Sequence, residues 1–440
     1  MTGSAAAGSG RTVRTLHELT HDELAVLVRE YLLAGQLMDR AGMPQVIGAY
    51  GRDEMAAIAI DEWMGASPIY TRRMQRLLGY VGYDVPTIMK GLQLDIGAPP
   101  EFMDFRLQVD DEHHGQFWLD HCGALMDVEP MGEDYVHAMC HTIEDPTFDA
   151  TAVATNRRAQ IRPIHRPPRE PSDRHPHCHW TVVIDDSHPE VPMPEPMTHI
   201  ERTVLASLPL AELGVGATAA EKADGWNDYT APLDPDLQTE QFSTAALRAM
   251  AEEVCVQQHL LVASFCFAIE RRYGTEDAVG IVDRQFTGIS GLTARRLRDA
   301  LGGGDGTPGS TGLAEVAQVL ELHPAFRPRT YVGWTVSQAD DGSSVDVGLG
   351  DCPALHESGF ETWITRLADG HDDGLRAAVE GVTPFGRVQA TGEMSWRIIL
   401  ADEPVPERPE VALAAFSTGA GWQFRATPVT LAARSGGASS

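Results

Sequence analysis

Apolar positions recur at helical spacing over residues 22–38, 53–63 and 68–78, with a shorter stretch at 85–94. Two strand-like runs follow, 105–109 and 116–125, joined by the turn-rich segment 110–115. The spacing then predicts a helix over 133–142 and strands over 159–165 and 177–184. A later stretch repeats the order. Helices are expected at 244–273, 276–286 and 293–301, then a Gly-rich break at 302–312 and a short helix at 314–322. A hairpin (331–338 and 344–349), a helix (360–379) and a strand pair (386–390 and 394–400) complete it.

Helices followed by hairpins, rather than alternating strand and helix, predict an α+β protein. We read it as two tandem copies of a module with helices packed on a small antiparallel sheet. Ala59-Ile60-Asp61-Glu62 with Gly65 face Ala268-Ile269-Glu270-Arg271 with Gly274, and Leu24, Glu30 and Leu37 face Leu247, Glu253 and Leu260. The interval between these two blocks differs in the two copies. Cys122 faces Cys352, and Cys178 faces Met394. The expected divisions are a disordered N-terminus (1–18), the first module (19–186), a Pro-rich acidic linker with one helix near 199–207 (187–238), a second, degenerate module (239–402) and a tail (403–440) with a strand or two in 411–431.

Charge narrows the function. The 34 Lys and Arg face 63 Asp and Glu, a formal net charge of −29, so no basic surplus exists to displace counterions from nucleic acid. No run of 18 apolar residues predicts a membrane span. The N-terminus lacks the apolar core of a secretion signal, and six cysteines are too few for a disulfide scaffold. A cytoplasmic protein acting on a small molecule, as a monomer or homodimer, is expected.

The candidate chemistry is concentrated. Nine of the 17 His and three of the six Cys lie between His113 and His179. On a regular helix, 100° per residue puts His137, Cys140, His141 and Glu144 on one face. Thiolate and imidazole together favour zinc, or iron with open positions. The expected ligands are Cys122, Cys140 and Cys178, with His141 or His137 as the fourth. Glu144, or Glu133 on the same face, would move a proton, with His137 as a second catalytic candidate. The competing reading is that the three Cys are small buried residues, since free Cys is among the most buried types. The thinning of these groups in the second copy argues that packing does not need them. A metal-dependent enzyme, most plausibly hydrolytic, is the leading expectation. A metal-dependent redox enzyme and a haem or small-molecule sensor with His141 as axial ligand are the alternatives. Cys255 and Cys266 read as core. Arg72, Arg73 and Arg76 read as a solvated or helix-pairing face, and Arg162, His165 and Arg166 as a weaker acid-binding group.

The order of helices, a hairpin ending in Cys122, a helix with Cys140-His141 and Glu144-Asp145, and a strand opening Cys178-His179-Trp180 resembles the superfamily of 4-vinyl reductase domains and L-2-amino-thiazoline-4-carboxylic acid hydrolase-like proteins. The resemblance covers about residues 50–185 and, in degenerate form, 265–400. It implies compact α+β modules with a small-molecule pocket between helices and sheet. The doubling, the acidic linker and the excess of His depart from the family pattern, so the resemblance bears on fold more than on reaction.

Overall fold

The computed structural model describes residues 13–302 and 312–416. The first half opens with two long helices, α1 (His21–Tyr50) and α2 (Arg52–Leu77). Thr20 caps α1: its hydroxyl accepts from the Glu23 amide while the Glu23 carboxylate takes the Thr20 amide. Gly51 alone separates the helices, at φ 88° and ψ 175°, a conformation that only glycine adopts without strain. Next come α3 (Val85–Gln93), the hairpin β1 (Met103–Val109) and β2 (His114–Cys122), then α4 (Gly123–Val128), α5 (Glu133–His137), a π-helical turn over Ala138–Ile143 and α6 (Glu144–Val153). Strands β3 (Ala159–His165) and β4 (Cys178–Ile184) complete an antiparallel sheet in the order β1-β2-β4-β3. Helix α7 (Glu195–Ile200) lies in the connecting segment.

The second half has α8 (Thr244–Tyr273) and α9 (Thr275–Ala300), 30 and 26 residues like α1 and α2, joined by Gly274 at φ 88° and ψ 170°. Then follow α10 (Leu313–Leu322), β5 (Trp334–Gln338), β6 (Val345–Leu349), α11 (Trp363–Ala368), α12 (Asp373–Val382), β7 (Gly386–Gly392) and β8 (Ser395–Leu400). The sheet order β5-β6-β8-β7 is that of the first sheet. Helix α13 (Pro409–Ala415) closes the described chain. Two four-stranded antiparallel sheets with helices make this an α+β protein of two modules. Among the described residues no helix is long and apolar enough to cross a membrane.

The halves interlock through their long helices: α2 runs along α8 and α1 along α9, while α2 also packs on α6 and α9 on α12 of its own half. The shift that carries Gly51 to Gly274 also carries Glu30 to Glu253 and Arg73 to Arg296. Arg73 pairs with Glu253 at 2.8 Å, and Arg296 with Glu30 at 2.7 Å. The same shift relates Tyr50 to Tyr273, whose rings stack at 3.6 Å and 6°. Each hydroxyl then donates to an acid of the other half, Tyr50 to Asp277 at 2.8 Å and Tyr273 to Glu54 at 2.5 Å. The Leu24/Glu30/Leu37 correspondence follows this shift. The pairing of residues 59–62 with 268–271 does not, because Gly65 belongs with Gly288 and Gly274 with Gly51.

Several boundaries differ from the sequence expectation. Helix α1 continues past residue 38 and through Pro44, and α2 runs unbroken through Pro68. The apolar rhythm fades at Asp39 and Arg40 because these residues border a cavity. Helix α9 is also continuous where two pieces were expected. Its small residues allow close approach: a Cβ on Gly288 would stand 2.9 Å from the Glu410 carbonyl oxygen, and one on Gly291 2.5 Å from Val411. The expected helix 360–379 is broken between α11 and α12, where Gly370 takes φ 91°. Residues 409–415 are helical, whereas a strand was expected from 411; the rest of that stretch and the Gly-rich segment 303–311 lie outside the described residues, as do 1–12. The segment 187–238 is packed: Ile200, Leu205 and Tyr229 are buried, and Lys90 Nζ donates to the carbonyls of Tyr229 and Ala231 at 2.8 and 2.6 Å.

Candidate functional site

A bulge decides where the first thiol goes. Strict alternation would put Cys122 on the sheet face opposite Phe117 and Leu119. Met103 pairs with Cys122 but Phe105 with Leu119, so β2 holds one residue more than β1 between these points. Cys122 is thereby buried on the core side together with Phe117 and Leu119. Cys140 and Cys178 are buried as well; the charge of Glu144 raises the proton affinity of all three thiols, and Cys122 raises that of Cys140 and Cys178. Burial is the larger cause and pushes Cys122 up to about 12.

The donors do not fit a bound zinc or iron. Among the described residues no group of three or more His, Cys, Asp or Glu side chains is arranged to hold a metal ion. The 100° phase assumed for residues 137–144 fails because residues 138–143 form a π-helical turn, which widens the helix by one residue. The His137 and His141 rings lie 4.4 Å apart, tilted by 50°. His137 faces Glu133 at 3.6 Å and is half exposed, and His141 Nε2 donates to the Pro167 carbonyl at 2.6 Å. Cys140 points into the core instead. The remaining histidines are spread along the first sheet and its ends. His113 and His114 sit in an Asx turn on Asp111. His179 meets Trp118 and His165 edge-on, and His177 lies near His121 and His175. Burial drives His177 down to about 4, so it is neutral at physiological pH.

The π-helical turn has another consequence. It brings Met139, Ile143 and then Glu144 onto the wall of a cavity of about 430 Å³ between α1, α2, the segment 95–105 and the helices after β2. Most of the wall is apolar: Met43, Met55, Met103, Met131 and Met139, with Phe102, Phe105 and Phe148. Leu413 and Phe416 from the end of the second half form one side, and Phe416 gives its carbonyl to Arg40.

Four carboxyl groups line this apolar space, with Arg40 as the one guanidinium among the lining residues. Arg40 pairs with Asp127 at 2.9 Å. The other three lack an ion pair within 4.0 Å among the described residues. Asp39 accepts from Trp63 Nε1 at 3.0 Å, and its second oxygen is buried without a hydrogen bond. Burial raises it to about 7, opposed by the Trp63 bond. Asp95 is 4% exposed. Its Oδ1 takes both the Tyr70 hydroxyl and the Gly97 amide at 2.7 Å, yet burial still lifts it to about 6. Glu144 has one buried oxygen without a partner and rises to about 8 through burial, opposed by the charge of Arg166. Glu62, one residue before Trp63, is fully buried with neither oxygen bonded. Burial, then the charge of Asp39, raises its proton affinity well above the usual carboxylate range.

Of the sequence-derived candidates, Glu144 stands at this cavity. His137, His141 and the three cysteines do not line it. Asp39, Glu62, Trp63 and Asp95 were missed. A signal for two of them was present, since Asp39 and Glu62 interrupt apolar helix faces where the second half has Val262 and Gln285. The chain matches no protein-family model, no curated protein and no solved structure.

Proposed function

We propose that the first half is an acid–base catalyst for a small, mainly apolar organic molecule held in this cavity, with Glu144 as the group that moves the proton. Glu144 carries the reading: a carboxyl group in a mostly apolar wall, set there by a π-helical turn of the kind that recurs at functional sites. Burial keeps Glu144 protonated at neutral pH, so it can donate to a leaving atom and then recover a proton. Hydrolysis of a bond whose leaving group needs a proton suits such an acid. The apolar wall would exclude water from the rest of the substrate and strengthen the interactions of the acid.

The test uses a panel of arylalkyl esters and amides, with N-phenyl-1-naphthylamine fluorescence to report cavity occupancy. The expected outcome is dye binding, turnover of at least one substrate, and a fall of about 10²-fold or more in kcat for Glu144→Gln with dye binding intact. Dye binding without turnover of any substrate would favour the second reading, a binding protein. The five methionines of the wall, adaptable in shape, favour that reading. Failure of the dye to bind would remove both.

A further inference from the structure

The polar residues of the cavity are not scattered. Trp63 links Asp39 to the turn that holds Asp95. Its Nε1 donates to Asp39, and its ring edge lies against Gly97, where a Cβ would stand 3.0 Å from the indole and 3.1 Å from Asp95 Oδ1. Gln36, one helical turn from Asp39 and 7% exposed, lines the same end. The chamber therefore has an acidic end lined by an indole and apolar walls elsewhere.

Resting on the reading of the cavity as a ligand site, we propose that it takes amphipathic amines, with the cationic nitrogen between Asp39 and Asp95 against Trp63 and the hydrocarbon body along the methionine and phenylalanine wall.

The structure supplies each requirement. Asp95 is almost fully buried, and both of its hydrogen bonds fall on one oxygen, leaving the other for a donor. Buried carboxylates are held with a counter-charge or give up their charge. No cation of the protein lies within 4.0 Å of Asp39, Asp95 or Glu62 among the described residues, while Arg40 is already paired with Asp127. An ammonium group would supply the missing charge, and an indole face attracts cations better than any other ring. A carboxylate ligand would meet the Asp39 and Asp95 carboxylates together and be repelled. The second half has the same helices without this feature: the shift that relates the halves replaces Gln36, Asp39, Glu62 and Trp63 by His259, Val262, Gln285 and Phe286. The helices therefore do not require Asp39 or Glu62 in order to form.

The experiment displaces N-phenyl-1-naphthylamine from the full-length protein with three ligands sharing one body: 4-phenylbutylamine, 4-phenylbutan-1-ol and 4-phenylbutyrate. The amine is expected to compete at a concentration about tenfold or more below the alcohol, and the acid to be weakest, as the strength of charge-assisted bonds implies. In Asp39→Asn and Asp95→Asn the advantage of the amine should shrink about tenfold while the alcohol is unchanged within about twofold. An alcohol that competes as well as the amine in the unmodified protein overturns the amine assignment and leaves the cavity reading standing. Absence of dye binding, with no heat from any of the three ligands in calorimetry, overturns both.

Discussion

The two halves use one scaffold for opposite ends. In the first, the space beside α2 is a chamber walled by methionines and edged by Asp39, Trp63 and Asp95. In the second, the corresponding side of α9 is filled. Trp363 stacks on Phe286, the counterpart of Trp63, at 5.0 Å and 10°. It also donates its indole N–H to Gln285, the counterpart of Glu62, at 3.2 Å. His259 and Phe326 close in around the same rings. One copy gains stability from a packed aromatic cluster. Its twin forgoes that packing and tolerates buried carboxyl groups that oppose folding at neutral pH. Costs of this kind persist where a site needs them.

The largest expected effects test the interlocked helices. Arg73→Ala leaves Glu253 buried without its guanidinium and should cost about 3–5 kcal/mol. Arg296→Ala, at the less buried twin pair, should cost about 1.5–3 kcal/mol. Urea denaturation measures both, and equal losses would break the inferred asymmetry. Trp363→Ala should cost about 3–5 kcal/mol by emptying the filled half. Added indole should then raise the Tm of the variant and leave the unmodified protein unchanged. If indole does nothing, the second half has collapsed rather than opened.

A smaller effect concerns pH. The folded-state affinity of Asp39 for its proton is raised, so its contribution to stability is complete below about 4, falls as pH rises, and levels off above about 7. Asp39→Asn should remove part of this decline, at most about 1.4 kcal/mol per pH unit within that window. A denaturation series from pH 4 to 8 would show it, and an unchanged slope would mean that Asp39 is not held in the protonated form. The smallest effects are expected at the stacked tyrosines. Tyr50→Phe and Tyr273→Phe should each change stability by about 0.5 kcal/mol or less, and by the same amount if the two-fold relation extends to the surface.

Much of the scaffold was legible because its residues obey local rules. Helix α8 reads from residue 244 to 273 because Ser243 caps it and Gly274 ends it, with apolar residues between. Strand β3 reads correctly from its flanking turns. What escaped was decided by tertiary contact. The cavity face of α1 carries Asp39 and the packed face of α9 carries Gly288 and Gly291 in place of large apolar residues, so periodicity ends α1 early and divides α9 in two. The sheet bulge before Cys122 and the π-helical turn at 138–143 each shift the phase by one residue. Periodicity could gather Cys122, Cys140, Cys178 and Glu144 into one region, yet it could not say that Glu144 alone opens onto the chamber. The correct alignment of the halves, anchored on Gly51 and Gly274, would have exposed the acids.

Leu413 and Phe416 give the chamber a wall from the far end of the chain. During synthesis at about 5–20 residues per second, the residues of α6 emerge tens of seconds before that wall exists. For that interval the nascent N-terminal half presents a hydrophobic mouth to the crowded cell, so ribosome-bound chains stalled before residue 409 are where chaperone engagement should be sought.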